Sequence, residues 1–264
     1  MAYWKDTWRF SNSIEHEYKY AGHYGAKGEK RAKKKKLTPE QISKQNQKNR
    51  EKKMRRLIKA NFIPDDIWGC LKYPKGTRVT TKQLKRDLDK FIRGMRYDYE
   101  KQGQVFKFIY RMEIGKRGGA HIHILINRIR GEPGTDVLMR KRWQQGHVNF
   151  TPIYDAGGYK ELAEYITKQP KEETAEQLSF LPEEEQKEYV KYSSSRNLIR
   201  PQPERKVYGR WTMRKILDEG PKPTKGYFID KNSIVCGVNQ YTGMSYLYYT
   251  EVRIRKGDDY NETG

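Results

Sequence analysis

The sequence of 264 residues predicts an α+β fold, an antiparallel sheet with helices on one face, from three observations. Two alternating runs, Val105 to Ile114 and Ala120 to Asn127, flank the turn Gly115-Lys116-Arg117-Gly118-Gly119 and read as a hairpin. Lys82 to Lys101 carries Leu84, Leu88, Phe91, Ile92 and Met95 at spacings of three and four, the stripe of an amphipathic helix. Further strand-like runs are interspersed with helical ones, without an internal repeat.

In order along the chain, residues 1–61 read as a basic arm. Its first 60 residues hold 18 Lys/Arg against 6 Asp/Glu. Gly22 to Lys36 is a Gly/Lys-rich coil, and Thr38-Pro39-Glu40 signals the start of a helix: an N-cap, a first-turn proline and a first-turn acid. That helix runs to about Ala60, and Ile42, Met54, Leu57 and Ile58 can pack only its C-terminal end. A core is expected over 62–170. It begins with a strand, Ile67 to Tyr73, closed by Pro74-Lys75-Gly76, followed by the helix and hairpin above. In the hairpin, Phe106, Phe108, Tyr110, Met112 and Ile114 share one face, and Val105, Lys107, Ile109, Arg111 and Glu113 the other. Residues 136–145 read as a short helix, His147 to Ile153 as a strand, and Gly157 to Gln169 as a helix limited by Pro170. The last region, 171–264, opens with seven Glu against Lys171 and Lys187 over 171–190, a helical insertion or lid. A helix over 210–219 follows. Tyr227 to Ile254 reads as two or three strands with turns near Lys231-Asn232 and Tyr241-Thr242-Gly243, and its stretch Tyr246-Leu247-Tyr248-Tyr249 reads as sheet packed on a core rather than as a base-stacking platform.

Charge narrows the partners. The net charge is +22, with mean hydropathy −1.08 and 20 Tyr. Such an excess points to a polyanion, nucleic acid ahead of a membrane surface. Basic residues interleaved with aromatics suit single strands, whose bases stack on rings. Cys70 and Cys236 lie far apart without a CxxC, which excludes zinc-finger and disulfide-scaffold frameworks and suits a reducing cytoplasm. The N-terminus has no apolar signal segment, and no apolar run reaches membrane-spanning length.

The chemistry is concentrated in two motifs. His121-Ile122-His123 places two imidazoles on one face of a strand, half of a metal site. Glu113, on the preceding strand, is the candidate third ligand. An even hairpin register puts it on the histidine face, and an odd one puts it on the other. Two imidazoles and a carboxylate suit Mg²⁺ or Mn²⁺, with Mn²⁺ the tighter. His16, His23 and His147 lack such a context and read as structural or surface residues. The second motif is Tyr165-Ile166-Thr167-Lys168, whose tyrosine and lysine share a helical face. A phenol with a free pKa of about 10 needs help to attack. A metal-polarised phosphate and a nearby ammonium provide it, so the pair fits covalent strand cleavage.

The order Glu113, His121-Ile122-His123, Tyr165-x-x-Lys168 resembles the HUH endonucleases, and among them the rolling-circle replication initiators (Rep proteins). Cys70-Leu71-Lys72-Tyr73-Pro74 is similar to their first motif, and the resemblance covers roughly residues 62–170. It implies a five-stranded, RRM-like antiparallel sheet with the histidines on a central strand. It implies nicking of single-stranded DNA at an origin, with a 5′-phosphotyrosine and a free 3′-OH that primes synthesis. Tyr165 is then the nucleophile, Glu113, His121 and His123 the metal ligands, and Lys168 a support for the phosphate or the attack. Two-tyrosine initiators have a second Tyr where Glu161 stands, so a single-tyrosine enzyme is expected. No G-x-x-x-x-G-K-[ST] occurs, so helicase and polymerase are expected from a host, and the element from a bacterial plasmid, phage or integrative element. A conjugative relaxase or single-strand transposase is the rival within this chemistry. A non-catalytic RRM-like single-stranded nucleic-acid-binding module is the rival outside it.

Overall fold

The computed structural model describes residues 2–22, 38–115, 117–154, 156–170, 172–239 and 243–254. The expected coil over 22–36 and the turn over 241–243 therefore lie largely outside the described residues. Two compact units emerge, residues 43–200 and a second built from 1–42 with 201–264.

The 43–200 unit is a five-stranded antiparallel sheet. Its strands are β3 (Ile67–Lys72), β4 (Phe108–Ile114), β5 (Ala120–Ile126), β6 (His147–Pro152) and β7 (Tyr192–Ser194), in the order β6-β3-β5-β4-β7. With α2 (Thr81–Lys101) after β3 and α3 (Thr135–Arg142) after β5, the chain runs β-α-β-β-α-β. This is the expected α+β, RRM-like architecture, and the histidine strand β5 is central. Thr80 starts α2 by accepting a hydrogen bond from the Gln83 amide. The helix then buries Leu84, Leu88, Phe91 and Met95 against Phe108 and Met112 of β4 and Ile122 and Ile124 of β5.

Helices also cover part of the opposite face, which corrects the expectation of one helical face. Strand alternation gives the reason. Ile109 of β4 and Leu125 of β5 are paired on that face and fully buried, so they need an apolar cover. It comes from Met54, Leu57 and Ile58 of α1 (Pro39–Asn61) and from Ala163 and Ile166 of α4 (Lys160–Thr167). Helix α1 starts with a capping box. The Thr38 hydroxyl accepts from the Gln41 amide at 3.2 Å, and the Gln41 side chain accepts from the Thr38 amide at 3.1 Å. Further along the same sheet face, the residues become Arg111, Glu113, His121 and His123, so one face is apolar at one end and polar at the other.

The expected boundaries at residues 61 and 170 do not coincide with the units. The acidic stretch folds as α5 (Glu172–Ser179) and α6 (Glu183–Val190) within the 43–200 unit, because Leu178 and Tyr189 reach the sheet core and β7 pairs with β4. The basic arm is divided as well. Residues 2–20 form the hairpin β1 (Ala2–Arg9) and β2 (Ser13–Tyr20) of a second sheet. Its other strands are β8 (Glu204–Gly209), β9 (Tyr227–Ile229), β10 (Val235–Val238) and β11 (Ser245–Arg253), ordered β10-β11-β2-β1-β8 with β9 on β11. Tyr3, Tyr18, Leu247 and Tyr249 project to one face, where Met213 of α7 (Arg210–Glu219) packs on them. The tyrosine-rich C-terminal stretch is thus packed sheet at alternate positions, as its pattern suggested. Among the described residues, no helix is long and apolar enough to cross a membrane.

Candidate active site

The hairpin register is the even one. Glu113 pairs with His121, and Arg111 with His123, so all four side chains lie on one face of the sheet. The register is set by the tight turn between the strands, where the Gly115 amide bonds the Gly119 carbonyl at 2.9 Å. Gly118 takes a left-handed φ of 71°, open to glycine without strain.

Glu113 is the hub. Its Oε2 lies 3.2 Å from His123 Nε2 and 3.6 Å from His121 Nε2, and its Oε1 is 2.7 Å from Lys168 Nζ. The Tyr165 hydroxyl donates to Glu113 Oε2 at 3.0 Å and lies 2.9 Å from His123 Nε2. Lys168 Nζ also stands 3.8 Å from the centre of the Tyr165 ring. Every residue singled out from the two motifs is therefore in this cluster. Lys168 reaches it differently from expectation: α4 ends at Thr167, and Lys168 is extended, with ψ at 147°. It approaches Glu113 from the turn that leads to Pro170 rather than from a helical face.

Three residues complete the cluster that the motifs did not single out for it. Arg111 is 1% exposed, and its guanidinium donates to the Ile166 carbonyl at 3.1 Å and to the Lys168 carbonyl. It thereby satisfies the carbonyl end of α4 and ties the helix bearing Tyr165 to the sheet. A charged residue two positions before Glu113 on the same strand face was the available signal. Trp68 of β3 stacks on His123, with ring centres 5.5 Å apart and planes at 12°, and meets Tyr165 edge-on. His123 Nδ1 is buried with no hydrogen-bond partner among the described residues, so stacking takes over the orienting role a hydrogen bond usually plays. Cys70 of β3 pairs with His123 in the ladder. Its sulfur and one nitrogen from each histidine lie within 4.8 Å of one another.

The electrostatics follow from this packing. Burial raises Glu113, but hydrogen bonds with His121 and His123 and the Lys168 ammonium outweigh it and hold the carboxyl well below the usual range. Burial keeps His123 neutral by lowering its pKa, against the pull of Glu113. Burial first, then the Glu113 carboxylate, push the Tyr165 phenol well up, so it keeps its proton. Burial also pushes the Cys70 thiol up to about 11. An ionised carboxylate and two imidazoles, with Nε2 atoms of both turned towards one carboxylate oxygen, form a donor set that fits a divalent cation with open positions. The other histidines stay apart. His16 lies in the other unit, bonded to Glu251 and Thr7; His147 is exposed on the edge strand β6; His23 lies outside the described residues.

Fold and site together define an α+β protein whose central strands carry a Glu/His/His cluster facing a helical tyrosine. Residues 66–170 match a family model of replication-associated proteins, described as Replication-associated protein ORF2. The matched segment runs from the start of β3 to just past α4 and contains Cys70, Glu113, both histidines, Tyr165 and Lys168. Neither the curated proteins nor the solved structures provide a match.

Proposed function

We propose that the protein is a replication initiator that nicks single-stranded DNA at an origin and remains joined to the 5′ phosphate through Tyr165. One observation carries the reading: within a segment similar to replication-associated proteins, the Tyr165 hydroxyl sits 2.9 Å from His123 and 3.0 Å from Glu113. Glu113, His121 and His123 would hold Mn²⁺ or Mg²⁺, which supplies positive charge to polarise a phosphate oxygen.

The rest is the work of the chain's own residues. Tyr165 keeps its proton while its hydroxyl is hydrogen-bonded to Glu113 Oε2 and His123 Nε2, the atoms the cation would use. Released from them, the phenol oxygen attacks phosphorus. The new bond joins Tyr165 Oη to the phosphate, the bond to the 3′ oxygen breaks, and that oxygen takes up a proton to become the 3′-OH. Lys168, above the ring, favours the developing phenolate and the charge on the phosphate. Arg111 fixes the end of α4, and so the angle from which Tyr165 approaches. Rejoining reverses these steps with a second 3′-OH, so the covalent bond conserves the energy of the one it replaced. In this reading, host helicase and polymerase extend the primer.

Incubation with a pool of labelled single-stranded oligonucleotides and Mn²⁺, followed by a denaturing gel, tests the reading. A protein–DNA adduct is expected from the unaltered chain and none from Tyr165→Phe. An adduct that survives Tyr165→Phe rules out this nucleophile. Tight, metal-independent binding with no cleavage would make the protein a binding module instead.

A further inference from the structure

Cys70 gives the histidine pair a second neighbour, which the nicking reading does not use. Strand β5 lies between β3 and β4, so the two imidazoles have a thiol on one side and the Glu113 carboxylate on the other. The thiol sulfur and one nitrogen of each ring lie within 4.8 Å of one another. In a tetrahedral zinc site, with bonds of about 2.3 Å to sulfur and about 2.0 Å to nitrogen, donor atoms stand about 3.3 to 3.7 Å apart. Rotamer adjustments on rigid, paired strands are enough to close that difference. The two donor sets differ in kind. Carboxylate with imidazole and water suits Mn²⁺ or Mg²⁺, whereas thiolate with two imidazoles selects a softer ion. Both sets require both histidines, so one ion excludes the other.

We propose that Cys70, His121 and His123 form a zinc site that overlaps the Glu113–His121–His123 set, so that bound zinc withdraws the histidines from the nicking centre. The zinc site stands on the Cys/His geometry alone, and only its inhibitory consequence rests on the proposed function. Binding releases the thiol proton to solvent and involves no change of oxidation state.

Cobalt(II) titrated into the full-length protein is the probe. A thiolate-to-cobalt charge-transfer band is expected in the near ultraviolet, together with intense visible bands of tetrahedral cobalt. Both should vanish in Cys70→Ser and Cys70→Ala and persist in Cys236→Ser and Glu113→Gln, with folding followed by circular dichroism. Zinc affinity should fall by about tenfold or more in Cys70→Ser, at least the loss seen when a ligand's supporting residue is removed. Mn²⁺ affinity should be unchanged. A measurement on the unaltered chain guards against misfolded variants: zinc should protect Cys70 from alkylation and leave the exposed Cys236 reactive. Absence of the band in the unaltered protein, its survival in both Cys70 variants, or alkylation of Cys70 at saturating zinc would overturn the proposal. A cobalt band without any DNA adduct would sink the nicking reading and leave the zinc site standing. An adduct without the band would do the reverse.

Discussion

Arg111 is a fully buried cation whose guanidinium is directed at backbone carbonyls. Burial lowers its pKa, with Glu113 and Tyr165 opposing, but a guanidinium stays charged. Arg111→Met removes the donors and leaves the Ile166 and Lys168 carbonyls without that partner, at a cost of about 1–3 kcal/mol in urea unfolding. Arg111→Lys keeps the charge and loses the planar fork, so it should restore stability partly while adduct formation stays slow. A positioning role predicts that adduct formation slows with little change in oligonucleotide affinity. Equal losses in both would mean that Arg111 contacts DNA. The residues legible in the sequence were those fixed by local rules. Alternation put His121 and His123 on one face, and a short turn restricted Glu113 to two registers. Cys70 and Trp68 enter the site through pairing of β3 with β5, some fifty residues away, which no local pattern encodes.

At the scale of elements, α2 and α3 hold the sheet's apolar face, and one ion pair ties them together. Asp98 of α2 accepts two hydrogen bonds of 2.6 Å from Arg142 of α3. The Arg142 hydrogen bonds lower the Asp98 pKa, against burial, which raises it. A carboxyl that is more acidic in the folded state stabilises the fold above its unfolded pKa of about 3.9. That contribution is lost as pH falls through the lower, folded value. Asp98→Asn should therefore cost about 2 kcal/mol at neutral pH, the scale of a charge-assisted pair. The difference from the unaltered chain should shrink as pH falls below about 4. Unfolding midpoints measured at several pH values would show it, and a gap that stays constant to low pH would assign the loss to packing. Helix α2 was readable to within a residue because its stripe and its Thr80 cap agree. Helix α4 was not: it starts at Lys160 and stops at Thr167, two residues before the expected end. Lys168 had to leave the helix for its carbonyl to meet Arg111 and its ammonium to meet Glu113.

At the scale of the whole molecule, the excess of +22 was legible at once, but its distribution over structure was not. The first sixty residues read as one basic arm because Lys and Arg dominate them. Yet Tyr3, Trp8, Ile14 and Tyr18 are buried strand residues, and their partner strands β8 and β11 lie about two hundred residues downstream. Charge is a property of composition, whereas pairing across such a separation leaves no local mark. Helix α1 keeps the basic character, with Lys44, Lys48 and Lys53 exposed while Met54 and Ile58 are buried. If this surface meets phosphates, binding of a single-stranded oligonucleotide should weaken linearly in log–log form with salt. Each phosphate neutralised on a single strand contributes a slope of about −0.7. Lys44→Ala, Lys48→Ala and Lys53→Ala combined should then make the slope shallower by about 2 units, if each lysine meets one phosphate. The loss should be the same for unrelated sequences, because phosphate contacts carry no base information. Tyr165→Phe should leave the slope untouched, since it removes a nucleophile and no cation. A triple variant that binds more weakly but keeps the original slope would place α1 away from the phosphates.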